Sequence, residues 1–319
     1  MTHPVYQKTI VGKLSTWLKR QSRRLKPEWL EAALILIRLN LDPARHSLHT
    51  LSSPSPRGRR PYDPICMLRA LILMVTLHYT RIESFANDLR SHPRLALLAG
   101  FAPFKTPAVG TFSLFLDRFE DGPYQPSCPH RITPSRLRKG KHRRNLKKEK
   151  ATKEQRKKHI LAECDSLTQT LKDDLLHASD QPRPDDLLTR LEDLLITCAV
   201  TPSAQRGLLG DLKQLILSGD GSALVTGVSP HGKPTCSCRR EGISPCDHDR
   251  FYSDPSADWG YDAYRECYYF GHTFSQHTVS ICGHDLPLHI LLGPASETDF
   301  TLSLKRLDRL EKAFRENGL

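Results

Sequence analysis

Between Arg136 and Lys158 thirteen basic residues stand against two acidic ones, a net +11 out of +12 for the whole 319-residue chain. A segment so charged and so poor in apolar side chains cannot enter a core, because its charges repel one another and each would lose its hydration. The chain must therefore fold on either side of it. The stretch 123–159, rich in Pro, Lys and Arg, is expected to be a linker or arm between an N-terminal and a C-terminal folded part. A run of this kind is either a solvated spacer or a set of phosphate contacts, with Arg136, Arg138, Lys139, Lys141, Arg143, Arg144, Lys147, Lys148, Lys157 and Lys158 as the contacting residues. No aromatic residue is interleaved with these cations, so base stacking is not expected there.

Residues 1–122 read as helical. Pro27 suits the first position of "PEWLEAALILIRLNL", which Asp42-Pro43 closes. Asp63 is placed to cap "PICMLRALILMVTLHY", a run apolar on nearly every side and expected as the buried centre of a small bundle. Ile82, Phe85 and Leu89 recur at helical spacing, as do Phe112, Phe115 and Phe119; the second stripe reads as bundle core, with DNA contact as the alternative. "RGRR" at 57–60 is either linker or a backbone contact. Residues 160–212 read as a helical connector containing "LAECDSLTQTLKDDLLHA" and "DDLLTRLEDLLITCAV". Beyond Leu215 the period becomes extended: "LILSGDGSALVTG", "CYYFGHTFSQHTVSIC" and "LPLHILLGPA" predict strands, and "DFTLSLKRLDRLEKAFRE" predicts a helix with Asp299 near its start. The expected class is α+β.

Two groups of residues have the chemistry of sites. Asp220 interrupts an apolar run among Gly219, Gly221 and Ser222; either Gly-Asp-Gly-Ser is a hairpin tip, or the carboxylate sits in a strand and needs a cation to offset its desolvation. Cys236, Cys238, Cys246 and His248 fall within "CSCRREGISPCDH" inside a polar insertion at 230–260. Three thiolates and an imidazole suit tetrahedral Zn²⁺, although pairs two residues apart are tighter than the common spacing; incidental thiols in a plain insertion are the alternative. His272, His277, His284 and His289 read as sheet and turn residues. The nine cysteines form no framework, and no apolar run approaches the roughly 20 residues of a membrane span. A chain of a reducing, cytoplasmic compartment is expected, with no membrane partner.

"RRPYDPICMLRALILMVTLHYTRIESFANDLRSHPRLALLAGF", "TPAVGTFSLFLDRFED", "SGDGSALVTG", "YSDPSADWGYDAYRECYYFGHTFSQHTVS" and "LPLHILLGPASETD", in this order and spacing, resemble the DDE transposases of bacterial insertion sequences. The resemblance implies a helical DNA-binding region at 1–122 and, at 213–319, the first half of a ribonuclease-H-like mixed β-sheet domain. It implies that Asp220 is the first ligand of a two-Mg²⁺ site for cleaving and joining DNA, and that the protein works at the nucleoid. The family then needs a second Asp on a fourth strand and a Glu on a later helix. Asp254, Asp258, Asp262, Asp285 and Asp299 do not stand at the matching positions. The expectation is a truncated or split copy, inactive alone, whose partners are transposon-end and target DNA, a second copy, or a completing C-terminal chain. The alternative is a non-catalytic DNA-binding regulator of a full-length transposase.

Overall fold

The computed structural model describes residues 1–20, 26–51, 61–123, 137–139, 154, 158, 162, 165, 166, 168, 169, 186–243, 246, 248–281 and 283–319. The chain divides into two compact units, Met1–Ser127 with Pro184–Gly207, and Cys128–Arg183 with Leu208–Leu319. The first is helical and the second is built on antiparallel sheet. Among the described residues no helix is long and apolar enough to cross a membrane.

The helical unit starts with α1 (His3–Arg20), α2 (Pro27–Arg38) and α3 (Arg45–Thr50). It continues through α4 (Pro64–Thr76), α5 (Ile82–Ser91), α6 (Pro93–Ala99) and α7 (Val109–Asp121). Pro27 and Pro64 open their helices where a missing N–H does no harm, and the Asp63 carboxylate accepts from the Ile65 amide at 2.9 Å. Tyr6, Ile10, Leu36, Met67, Leu73, Phe85, Leu89, Leu95 and Phe112 close one core. Phe112 is buried edge-on to Phe85, so the aromatic stripe of α7 belongs to the bundle. The central helix α4 is less enclosed than its composition suggests: Ile65, Ala70 and Leu73 are buried, but Val75 is 74% exposed. Its Arg69 is fully buried with no hydrogen-bond partner for its guanidinium nitrogens, lying instead 3.8 Å over the Tyr6 ring.

Residues of the expected 160–212 connector return to this unit. α8 (Leu187–Leu195) is capped by Asp186, and its Arg190 donates from Nε to the Phe119 carbonyl at 2.8 Å and from Nη2 to that of Glu120 at 2.5 Å. A cation there meets the negative end of α7. A widened π-helical turn, Ile196–Val200, leads into α9 (Thr201–Gln205), because Pro202 has no N–H for the carbonyl of Cys198. Cys198 packs with Leu41, Ala44, Leu48, Leu51 and Ile65. The helix expected over "LAECDSLTQTLKDDLLHA" lies mostly outside the described residues.

The second unit contains β1 (Leu137–Lys139), β2 (Leu217–Val225), β3 (Lys233–Pro234) and β4 (Asp249–Phe251). β5 (Asp258–Asp262), β6 (Cys267–Ile281), β7 (His284–Pro294) and α10 (Asp299–Glu316) complete it. β1, β4 and β3 form a small sheet in that order. The main sheet is organised by β6. Thr273 pairs with Ala223 of β2 and Gly293 of β7, while Gly271 pairs with Val225 of β2 and Asp258 of β5. β2 therefore lines one edge of β6, and β7 and β5 succeed one another along the other. All these pairings are antiparallel. Pro287 sits in β7 beside the register shift at His277 and Thr278, a place on an edge strand that tolerates a missing donor.

α10 lies across one face of β2, β6 and β7, its first turn capped by Thr298. Beneath it are Thr273, Ser275, His277, Val279, His289 and Leu291, all buried. β2 meets this helix through glycine: a Cβ on Gly221 would fall 2.4 Å from the Cβ of Asp299, and one on Gly219 would meet His277 at 3.2 Å. The alternate residues, Asp220, Ser222, Phe274, Gln276, Ile290 and Leu292, stand on the opposite, half-exposed face. The strand β5 is not expected from the sequence, which treats it as the approach to β6; its five residues pair with the first third of β6.

Candidate metal centre and the strand carboxylate

Asp220 lies in the middle of β2, opposite Gln276, so Gly-Asp-Gly-Ser is strand and not a hairpin tip. Its carbonyl accepts from Ser275 Oγ at 2.9 Å, and its carboxylate takes the amide of Gly221 at 2.8 Å. The side chain is exposed. A pair of Mg²⁺ ions needs several oxygen donors. Among the described residues Asp220 belongs to no group of three or more metal-ligating side chains. Asp299, close in the chain's fold to Gly221, stands on the other face of the strand.

The Cys/His residues do converge. Their ligand atoms all lie within 4.8 Å of one another, with Cys236 Sγ 3.6 Å from Cys246 Sγ and Cys238 Sγ 3.3 Å from His248 Nδ1. In a tetrahedral Zn²⁺ site with Zn–S of about 2.3 Å the sulfurs stand about 3.8 Å apart, so the cluster matches the size of that ion's shell. The convergence is made by the small sheet. Lys233 and Pro234 of β3 pair with Phe251 and Arg250 of β4, which sets Cys236 and Cys238 on the arm leaving β3 and Cys246 and His248 on the arm entering β4. Beyond Cys238 the chain turns back, the amides of Glu241 and Ile243 donating to the Cys238 carbonyl at 3.1 and 2.9 Å. Gly242 takes a φ of +75° there.

The thiols bias one another. The backbone amide of Cys238 is the main influence holding the Cys236 thiol below its ordinary value, with further help from the neighbouring thiols. Cys238 is pushed up to about 11, first by its hydrogen bond with Cys236 and then by burial. A bound cation would take the place of the protons on these sulfurs, so metal and acid compete for the site. The remaining described cysteines are free; burial pushes the thiols of Cys66 and Cys198 up, as befits packing residues.

Of the basic segment, Arg138 and Lys139 lie in β1 and pair with Arg250 and Asp249 of β4, and Lys158 is exposed. Arg136, Lys141, Arg143, Arg144, Lys147, Lys148 and Lys157 lie outside the described residues. Sequence reasoning leaves the histidines without roles, but three of them are structural. His272 Nε2 bonds Asp254 Oδ2 at 2.8 Å, tying the chain after β4 to β6. Burial pushes the Asp254 carboxyl up, yet hydrogen bonds from His272 and Ser256 outweigh it and hold the group low. His277 and His289 face each other, Nδ1 to Nδ1, at 3.3 Å in the buried layer under α10. Only the register across β6 and β7 brings the last two together.

Comparison with protein-family models, with curated proteins and with solved structures returns no match in any of the three. The functional reading therefore rests on geometry and chemistry.

Proposed function

We propose that this chain is a DNA-binding protein related to the DDE transposases of insertion sequences, with a ribonuclease-H-like sheet that carries Asp220. One observation supports the reading above others. The three long strands β2, β6 and β7 run antiparallel in the order β7-β6-β2, with the short β3, β4 and β5 lying between β2 and β6 in the chain; a helix follows β7 over one face, and an aspartate stands mid-way along the edge strand β2 on the other face. A carboxylate in that position suits the first ligand of a metal-dependent nuclease, and the outer edge of β2, which pairs with no strand among the described residues, suits a further strand from another chain or a second copy. The net charge of +12 supports nucleic acid as partner.

The second reading, a regulator that occupies DNA without catalysis, draws on Asp220 belonging to no group of three or more metal-ligating side chains among the described residues. Both readings require duplex binding. The test is a mobility-shift titration of residues 1–319 on duplex DNA together with an Mg²⁺-supplemented cleavage assay. Binding that weakens steeply with salt, no strand cleavage, and unchanged binding by Asp220→Asn are expected. Absence of binding at low salt overturns the DNA reading; strand cleavage by this chain alone overturns the reading that Asp220 does not serve a nuclease site here without further ligands. Restoration of Mg²⁺-dependent cleavage by a supplied segment, lost again in Asp220→Asn, selects the first reading over the second.

A further inference from the structure

We infer that the Cys236–His248 centre is the organiser of a phosphate-binding surface, and that its occupant is the backbone of duplex DNA, gripped by Arg239 and Arg240 once the metal has set the turn that carries them. The inference rests on the DNA-binding reading and goes beyond it by naming a contact surface outside the basic arm and making that surface metal-dependent.

Arg239 and Arg240 come directly after the ligand Cys238, in the turn closed by the Glu241 and Ile243 amides on the Cys238 carbonyl. Both are exposed, and among the described residues neither makes an ion pair or side-chain hydrogen bond. Lys233, exposed at the start of the same excursion, is equally unengaged. Arg250 contributes from β4: its Nη2 donates to the Gly232 carbonyl at 3.1 Å, while its buried Nε has no hydrogen-bond partner. β1 brings the backbone of Arg138 and Lys139 alongside β4. Against these six cations stand three acidic residues of the sequence: Glu241, which accepts from Ser237, Asp247 and Asp249. The balance favours a polyanion.

The surface needs the metal because little else holds it. β1 and β4 have three residues each and β3 two, too few for an independent sheet, and among the described residues of the excursion the Cys/His cluster is where side chains from both arms meet at ligand distance. A bound ion would order the turn before DNA arrives, so the cost of fixing two arginines would not fall on the binding step. Proteins that clamp phosphate without aromatic stacking read shape and charge, so weak sequence preference is expected.

The experiment uses the full chain, with metal analysis run in parallel with fluorescence anisotropy on a random-sequence duplex over a range of salt. The wild type should hold about one Zn²⁺. Arg239→Gln with Arg240→Gln should keep the zinc and flatten the slope of log affinity against log salt by about 1.8, two contacts' worth. Cys236→Ser with Cys246→Ser should lose the zinc and show the same flattening, with circular dichroism checking that the rest stays folded. A zinc-loaded arginine variant with the wild-type slope overturns the surface; a zinc-free cysteine variant with the wild-type slope overturns the metal dependence. Stronger binding to a single-stranded RNA of equal length overturns the choice of duplex DNA. Failure of the wild type to bind any duplex removes the DNA-binding reading itself, a result distinct from binding with unchanged slopes.

Discussion

Acid should loosen the sheet unit through one residue. His277 is 5% exposed between Gly219 of β2 and His289 of β7, with Ser303 of α10 nearby. Burial first, and the neighbouring His289 second, lower its imidazole to about 4. The unfolded chain binds that proton near 6.5, so the unfolded state gains protons over a range in which the folded state stays neutral. The contribution to stability is complete above pH 6.5, falls as the pH drops toward 4, and levels off below. A difference of this size corresponds to about 3 kcal/mol. Trp259 lies on β5 against Phe270, whereas Trp17 and Trp29 belong to the helical unit. In a Trp17→Phe, Trp29→Phe background, Trp259 fluorescence therefore tracks urea unfolding of the sheet unit alone. Between pH 6.5 and 4 the free energy of the parent should fall by about 3 kcal/mol more than that of a His277→Asn variant, whatever their absolute stabilities. Parallel pH profiles for the two proteins would refute the reasoning.

The metal centre makes its own prediction: protein purified from zinc-supplemented medium should carry about one Zn²⁺ per chain, and chelation should release three more thiols to a thiol reagent. Because protons compete for sulfurs such as that of Cys238, zinc should leave as the pH falls, as measured by metal analysis after dialysis. In β2, Gly221→Ala should cost about 1–3 kcal/mol in chemical denaturation, because its Cβ meets the Cβ of Asp299 rather than a flexible side-chain tip. In an Asp299→Gly background the same substitution should cost much less; an equal cost would place the strain elsewhere.

Several elements were legible because their causes are local. The period and the end residues of "DFTLSLKRLDRLEKAFRE" are satisfied within a turn or two, and α10 spans those eighteen residues. Asp63-Pro64 marks the start of α4 in the same way. Alternation over β6 announces a strand wherever its neighbours lie. The ligand types of the metal centre were equally plain. Their meeting depends on β3 and β4, ladders too short to leave a periodic signal. β5 was missed for a related reason, since five residues with Gly260 at the centre become a strand through β6.

Asp220 marks the boundary between the two kinds of information. Its immediate neighbours suit a turn as well as a strand, and only nine residues of pairing with β6 make it a strand. The sequence by itself determined that a basic segment divides the chain, which stretches are helical or extended, and which residues have metal-binding chemistry. Tertiary structure alone decided that α8 rejoins the first unit, that Arg138 lies beside Arg250, that His277 faces His289, and that Asp220 stands on the face opposite α10. Helix periods and caps act over three or four residues, whereas pairing depends on which distant segments bury each other, and a one-residue change of register would turn every side chain of β2 to the opposite face.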